Sequence, residues 1–446
     1  MSSVGERLRQ LRVAKGVSQT ELARDLVSPS YVSLIEANKR TPEREVLEEL
    51  AKRLGASVEF LETGVDAAEL QEKQLAVRYA ELALANGQVT EALQQFKALA
   101  SSSLPQIRHQ AAWGTGRALE AQGDITGAIK VVEGLLEEAV AGRVQAPGFL
   151  VLRNQQCWLY REAGDLGLSI ELGERALQEV RDLGLEGTED QIRLASTLVG
   201  SYWERGDLTK AHLLAEKVIT QAERHGSPRS RGSAYWNASL VAEARGQRQL
   251  AIELAEKALA LMGETMDDRG IVQMRAVLAW LLLRVDPPQV ERAEQILASF
   301  QDLVLGAGDE HLILRYSTEL GRIRLFQGRP AEALELASRM IERPYDGRPT
   351  DLVRALLLRA QARFGLEDPA AGSDCAAVAD LLRGLSGQRR AAGLWRELAE
   401  TLLTAGCRDE AMNAYRELAD CLGARSIPTP SVVAPVGSEA MPRTTV

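Results

Sequence analysis

The sequence predicts an all-α protein in two parts: a small domain of five short helices, then an α-solenoid of about nine helical hairpins. Three observations carry this. Ala, Leu, Glu and Arg dominate, aromatic residues make up only 4%, and no long alternating β-branched run occurs, so helices are favoured throughout. Two helix-start signals stand close together near the N-terminus, at Ser18 and Ser28. Beyond Glu72 a glycine recurs at roughly 40-residue intervals, with a small residue five positions after it. A chain of 446 residues is too long for one ordinary compact domain unless it is a repeat array.

The first helix is expected from Val4 to Lys15, with Leu8 and Leu11 inward and Gly16 at its end. Ser18 caps the second helix and Glu21 reaches back to it, a capping box; Leu22, Ala23 and Leu26 follow at helical spacing. Ser28 caps the third helix with Pro29 at the first helical position, where a missing N–H costs nothing. Val32 and Ile35 form its inner stripe, and Asn38, which tolerates the left-handed conformation, ends it. A fourth helix is expected to open at Thr41-Pro42 and to turn Val46, Leu47, Leu50, Ala51 and Leu54 inward before Gly55. Ser57 caps a short fifth, with Phe60 and Leu61 inward. The domain then spans 1–62, with a connector over 63–72.

Residues Ser18 to Arg40, SQTELARDLVSPSYVSLIEANKR, resemble the helix-turn-helix of the Cro/phage-repressor-like (XRE) family, and the resemblance covers roughly residues 4–62. It implies double-stranded DNA, an operator, as partner. The third helix of that family enters the major groove, which puts Pro29, Ser30, Ser33 and Leu34 at base-contacting positions. Leu34 stands where relatives often carry a polar reader; it either touches a thymine methyl or does not read bases. Tyr31 either contacts the DNA backbone or packs on its own domain. Gln19, Lys39 and Arg40 match phosphate contacts. Arg12 and Glu36 match an ion pair tying the first helix to the third. Between Leu26 and Tyr31 the chain is one residue shorter than the family pattern and lacks its glycine. The alternative is a domain of this fold that binds protein.

From residue 73 to 424 the repeats are anchored on Gly87, Gly123, Gly164, Gly206, Gly246, Gly328 and Gly406. Five residues later come Ala92, Ala128, Ser169, Ala211, Ala251, Ala333 and Ala411. Nine after the anchors come Phe96, Val132, Gly173, Ala215, Ala255, Ala337 and Tyr415; seven before them, Ala80, Gly116, Cys157, Val199, Ser239, Gly321 and Ala399. Two weaker units turn at Asp286-Pro287-Pro288, with Ala293, and near Leu366, with Ala371. Each unit is a helix, a turn at the glycine and a second helix, and small residues let the pair pack closely. No unit buries its apolar face alone, so neighbours must stack. The pattern resembles tetratricopeptide repeats (TPR), with a longer period and without the proline that ends a unit; a helical-hairpin solenoid of another type is the alternative.

TPR arrays line their concave face with the first helix of each unit. That implies a face carrying Gln110, Trp113, Arg117, Asn154, Trp158, Arg161, Arg193, Ser196, Trp203, Trp236, Arg275, Arg315 and Arg322, whereas Trp280 and Trp395 fall at core positions. Such a face suits an extended peptide or another anionic ligand: Arg takes a carboxylate in bidentate fashion, Trp supplies apolar pockets and Asn154 bonds a peptide backbone. A helix-turn-helix ahead of a TPR-like array is similar to bacterial regulators that sense signalling peptides. That similarity implies a homodimer on two half-sites, with a signalling peptide or a protein as ligand of the repeats.

The net charge of −9 does not by itself suggest nucleic-acid binding, but residues 1–40 carry seven basic against four acidic side chains. Cys157, Cys375, Cys407 and Cys421 lack metal-type spacing and fit buried thiols in a reducing cytoplasm. His109, His212, His225 and His311 are isolated, so no metal or cofactor is expected. Neither HExxH, GxxxxGK[ST] nor GxSxG occurs, which speaks against an enzyme. No apolar run is long enough for a bilayer, so no membrane partner is expected and the cytoplasm is the expected location. Residues 425–446, rich in Pro, Ser, Thr and Val without periodicity, read as a disordered tail. Two other functions fit the same pattern: a scaffold whose N-terminal domain binds protein, and a ligand-independent regulator whose repeats only dimerise.

Overall fold

The computed structural model describes residues 3–64, 67–144, 147–262, 268–307, 310–342, 349–385 and 389–422. Among these the chain forms 24 helices and no strand. The stretch expected as a disordered tail and the side chain of His311 lie outside the described residues.

Five helices build the N-terminal domain. α1 (Val4–Ala14) opens with a capping box at Ser3 and Glu6, additional to the one expected at Ser18. α2 (Gln19–Ala23) has that expected box: Glu21 N–H donates to Ser18 Oγ at 3.1 Å, and Ser18 N–H to Glu21 Oε2 at 2.9 Å. The helix is shorter than the apolar spacing predicts, and Leu26 lies beyond its end. Asp25, at φ 57°, reverses the chain there. The shortened turn has no glycine, and a short polar residue takes the left-handed conformation in its place.

α3 (Pro29–Glu36) starts as predicted, with Tyr31 N–H donating to Ser28 Oγ at 3.2 Å, and leaves through Asn38 at φ 57°. α4 (Arg44–Arg53) begins later than Thr41-Pro42. Glu43 is its extended cap residue, so the first helical bond runs from Leu47 N–H to Glu43 C=O at 3.0 Å. α5 (Val58–Thr63) is capped by Ser57 as expected. Leu8, Leu22, Val32, Ile35, Leu50, Leu54 and Leu61 form a core closed to solvent. α1 lies so close to α3 that a Cβ on Gly5 would sit 1.9 Å from Ile35 C=O.

The next helix begins at Ala67, inside the stretch expected as a connector. Nine hairpins then follow. They pair α6 (Ala67–Ala85) with α7 (Val89–Leu99), α8 (Pro105–Gln122) with α9 (Ile125–Val140), and α10 (Phe149–Glu162) with α11 (Leu166–Asp182). Next come α12 (Glu189–Arg205) with α13 (Leu208–His225), and α14 (Pro228–Ala244) with α15 (Arg248–Met262). α16 (Asp268–Leu283) pairs with α17 (Val290–Ala298), and a short α18 (Gln301–Ala307) follows. The last three are α19 (Glu310–Phe326) with α20 (Pro330–Ile341), α21 (Pro349–Gly365) with α22 (Ala371–Gly384), and α23 (Arg389–Thr404) with α24 (Arg408–Cys421).

All seven anchor glycines have positive φ, between 69° and 89°. At each, the N–H after the glycine donates back to a carbonyl five residues earlier at 2.8–2.9 Å, as Asp124 does to Leu119 and Cys407 to Leu402. This is the Schellman closure, which needs a left-handed residue at the helix end. In the weaker eighth unit Glu367, at φ 56°, takes the glycine's place. All nine small positions five residues on are buried, from Ala92 to Ala411. The apolar positions that follow them are buried too, except Tyr415, which is half-buried.

The chain divides into two compact units, Met1–Leu185 and Glu186–Val446. The first holds the five-helix domain and three hairpins; the second holds six hairpins. The division falls within the 73–424 stretch expected as one domain. No helix of the described residues is long and apolar enough to cross a membrane.

Candidate functional site

α3 presents one face to solvent and the other to the domain core. Pro29, Ser30, Ser33 and Leu34 are exposed, Leu34 at 39%. Val32 and Ile35 anchor the opposite face. The eight residues of α3 span about 12 Å, and an α-helix with its side chains is about as wide as the B-DNA major groove that admits one. Lys39 and Arg40 are exposed just past its end. Arg40 lies over the Tyr31 ring, 5.2 Å from its centroid, and Tyr31 is half-buried against the domain core.

The support beneath α3 is ionic. Arg12 Nε donates to Glu36 Oε1 at 2.5 Å and its Nη2 to Oε2 at 2.9 Å, a bidentate pair joining α1 to α3. The two side chains are only 13% and 4% exposed. Gln19 Nε2 donates to the same carboxylate at 2.7 Å, so the predicted phosphate contact also braces α2 against α3. Burial pushes the Glu36 carboxyl up, but the bonds from Arg12 and Gln19 hold it below the usual range.

Three further ties were not legible in sequence. Arg7 donates to the carbonyls of Leu61 and Glu62 at 2.9 and 2.7 Å, fastening α1 to α5. Arg53 Nη1 donates to the carbonyls of Leu22 and Arg24, at the open end of α2. Gly5 N–H donates to Asn38 Oδ1 at 3.2 Å. A basic residue in the last turn of α4 was the only local hint of the second tie.

The residues expected on the inner face of the repeats fall in both units. In the first, Trp158 Nε1 donates to Glu120 Oε1 at 2.7 Å and Gln155 Nε2 to its other oxygen at 2.6 Å, linking α10 to α8. Burial pushes the Glu120 carboxyl up despite these donors. Arg161 is buried and stacks on Trp158 at 5.1 Å. Trp113 and Asn154 are half-buried, and Trp113 packs on the Val132–Leu152 cluster; Arg117 is exposed.

In the second unit Arg193 is exposed and lies 4.0 Å from Glu189, whose carboxylate already accepts from Ser227 and Ser230. Trp203 is half-buried, and Trp236 packs against Ala255, Ala258 and their neighbours. Arg275 stacks on Phe300 at 5.8 Å, and Arg315 is half-buried. Arg322 is committed to two carboxylates, Glu319 at 2.8 Å and Glu397 at 2.9 Å. Burial works against its charge, but these two anions raise its pKa. Of the six arginines assigned to this face, Arg117 and Arg193 are the exposed ones.

Trp395 is a core residue as expected, while Trp280 is half-buried with Arg284 stacked on it at 4.5 Å. Cys157 and Cys375 are buried, and desolvation pushes each thiol up to about 12; Cys407 and Cys421 are half-buried.

A family model described as the MalT-like TPR region matches residues 73–385. The chain belongs to that family. Ahead of the MalT-like TPR repeats it carries an XRE-type helix-turn-helix domain, matched by a helix-turn-helix model over residues 8–61. Among solved structures, a Rap protein complexed with Competence and Sporulation Factor is similar at 13% identity and a TM-score of 0.51, covering 94% of this chain and 97% of that one. The apo quorum sensor NprR from B. thuringiensis matches at 15% identity and a TM-score of 0.47, covering 94% and 98%. Bacillus thuringiensis PlcR, in complex with the peptide PapR7 and DNA, matches at 17% identity and a TM-score of 0.40, covering 63% and 99%. At its identity the Rap likeness bears on the fold alone. Curated proteins give no match.

Proposed function

We propose that this chain is a sequence-specific DNA-binding transcriptional regulator whose TPR-like repeats bind a peptide or protein partner and thereby modulate DNA binding. The presentation of α3 carries this reading. Ser30, Ser33 and Leu34 project outward, while Glu36 on the same helix is locked to Arg12 and Gln19. A helix held by a buried bidentate pair and flanked by exposed Lys39 and Arg40 is built to be pressed against a polyanion. The chain acts as a homodimer in this reading, because two recognition helices about 34 Å apart grip two half-sites together. The cytoplasm is then its place of action.

For the ligand, the exposed guanidinium group of Arg193 in the second unit suits a carboxylate, and the half-buried Trp203 and Trp236 of the same unit suit apolar side chains. Gel-shift with genomic fragments at two stated salt concentrations tests the DNA reading. Saturable, sequence-selective binding that survives the higher salt supports it, and binding that fades evenly over all fragments contradicts it.

A further inference from the structure

In a solenoid each hairpin touches its neighbours along the chain. α23 departs from this. It packs on α21 and α22, as the order requires, and also meets α12, which belongs to a hairpin five units earlier. Arg396 of α23 also feels the charge of Glu243 on α14. Arg322 of α19 donates through Nη2 to both oxygens of Glu397 on α23, at 2.9 and 3.1 Å, past the intervening hairpin. Within the second unit, then, the first helix of the last hairpin reaches across to the first helices of earlier ones.

Arg322 is divided between two acids. Its Nη1 donates to Glu319 Oε1 at 2.8 Å, while Glu319 Oε2 is buried without a hydrogen-bond partner. A buried carboxylate oxygen with no donor is a standing cost of this arrangement. The cost would vanish if Arg322 gave its planar fork to Glu319 alone, one N–H to each oxygen. Turning the fork to Glu319 withdraws Nη2 from the two oxygens of Glu397 and so loosens the hold of α19 on α23. Gln361 and Thr401 offer Glu397 and its helix other polar partners: Gln361 Nε2 lies 3.5 Å from Glu397 Oε1 and 3.0 Å from Thr401 Oγ1. Leu394, Trp395, Leu398 and Leu402 of α23 share one apolar cluster with Val353, Val378 and Ala411. The contacts to α12 and Arg322 lie outside that cluster, so losing them opens no core.

We propose that α23 and α24 form a reversible latch across the second unit, with Arg322 exchanging between Glu397 in the docked state and Glu319 in the released state. The latch does not depend on the peptide reading, and it is tested without any ligand.

The experiment measures distances by pulsed electron resonance on the full chain, with the four cysteines changed to alanine and spin labels at Thr209 on α13 and Met412 on α24. Both sites are exposed. The expected result is a short distance for the docked state and a longer one for the released state. Glu397→Gln removes the charged acceptor on α23 and raises the ratio of long to short about ten-fold, the scale of a hydrogen bond to a charged group. Glu319→Gln removes the competing charge and replaces one carboxylate oxygen by an amide nitrogen, so the ratio falls. These opposite signs separate the latch from a static ion cluster, in which losing either acid loosens the contact. If both substitutions raise the ratio, or neither moves it, the proposal is overturned. Circular dichroism melting checks that each variant is folded, and Glu319→Gln decides the matter should Glu397→Gln unfold.

Discussion

The N-terminal domain and the repeats spend their charge in opposite ways. On α3 the charged residue, Glu36, is turned inward and neutralised, and the outward side chains are short and uncharged. On the repeats, arginines whose spacing pointed outward are mostly claimed by the protein itself. Arg322 is held by two carboxylates, and Arg161 and Arg275 lie on aromatic rings. A helical period says which face a residue occupies. It says nothing about whether the next helix brings an acid to meet it.

Removing one guanidinium from each region should have the largest effect. Arg12→Met leaves Glu36 buried without its partner and should cost about 3–5 kcal/mol, read by urea unfolding with a probe in the N-terminal domain. Arg322→Ala should cost the second unit a similar amount, whereas Arg193→Ala should stay within about 0.5 kcal/mol of the parent. An equal, large loss at Arg193 and Arg322 would mean that the two are equally committed.

Next in size is packing in the repeats. Ala211 is fully buried where α13 crosses its neighbour, and Ala211→Leu should cost about 1–3 kcal/mol of thermal stability. The same exchange at exposed Ala244 should be nearly silent.

The pH dependence sharpens the difference further. Glu36 is held below the ordinary carboxylate value of 4.5, so its contribution is present above that value and lost as pH falls through the lower, folded one. Glu120 is shifted the other way, so its ionised form opposes folding, and acid relieves the cost. Acid titration followed by domain-specific probes should therefore destabilise the N-terminal domain progressively as pH falls below 4.5, with no matching loss traceable to Glu120.

The smallest effect is on the salt dependence of DNA binding. Lys39→Ala and Arg40→Ala should each lower the slope of log affinity against log salt by about 1, evenly across sequences. A change in sequence preference instead would move these residues from phosphate contact to base reading.

Much of the fold was legible because its rules are local or periodic. The Ser18 and Ser28 caps, the Asn38 exit and the seven glycine turns depend on neighbours within a few residues, and all formed as expected. The nine small positions are periodic, and packing two helices closely leaves no alternative there. What failed to show was set by long separations. Glu120 and Trp158 are 38 residues apart, and Arg322 and Glu397 are 75 apart. The start of α4 and the use of Asp25 as a turn residue were misplaced because several residues nearby could serve equally well. On α3 the outward face was legible for a simpler reason: its polar side stays exposed among the described residues.

The claim that α3 reads bases is tested most directly by selecting preferred duplexes from a random library, with the parent chain and with Ser33→Arg and Leu34→Gln. The account predicts that the parent selects a defined site and that each substitution changes the preferred bases at a few adjacent positions, leaving the rest of the site intact. Selection of no site by the parent, or an identical site by all three, would contradict it.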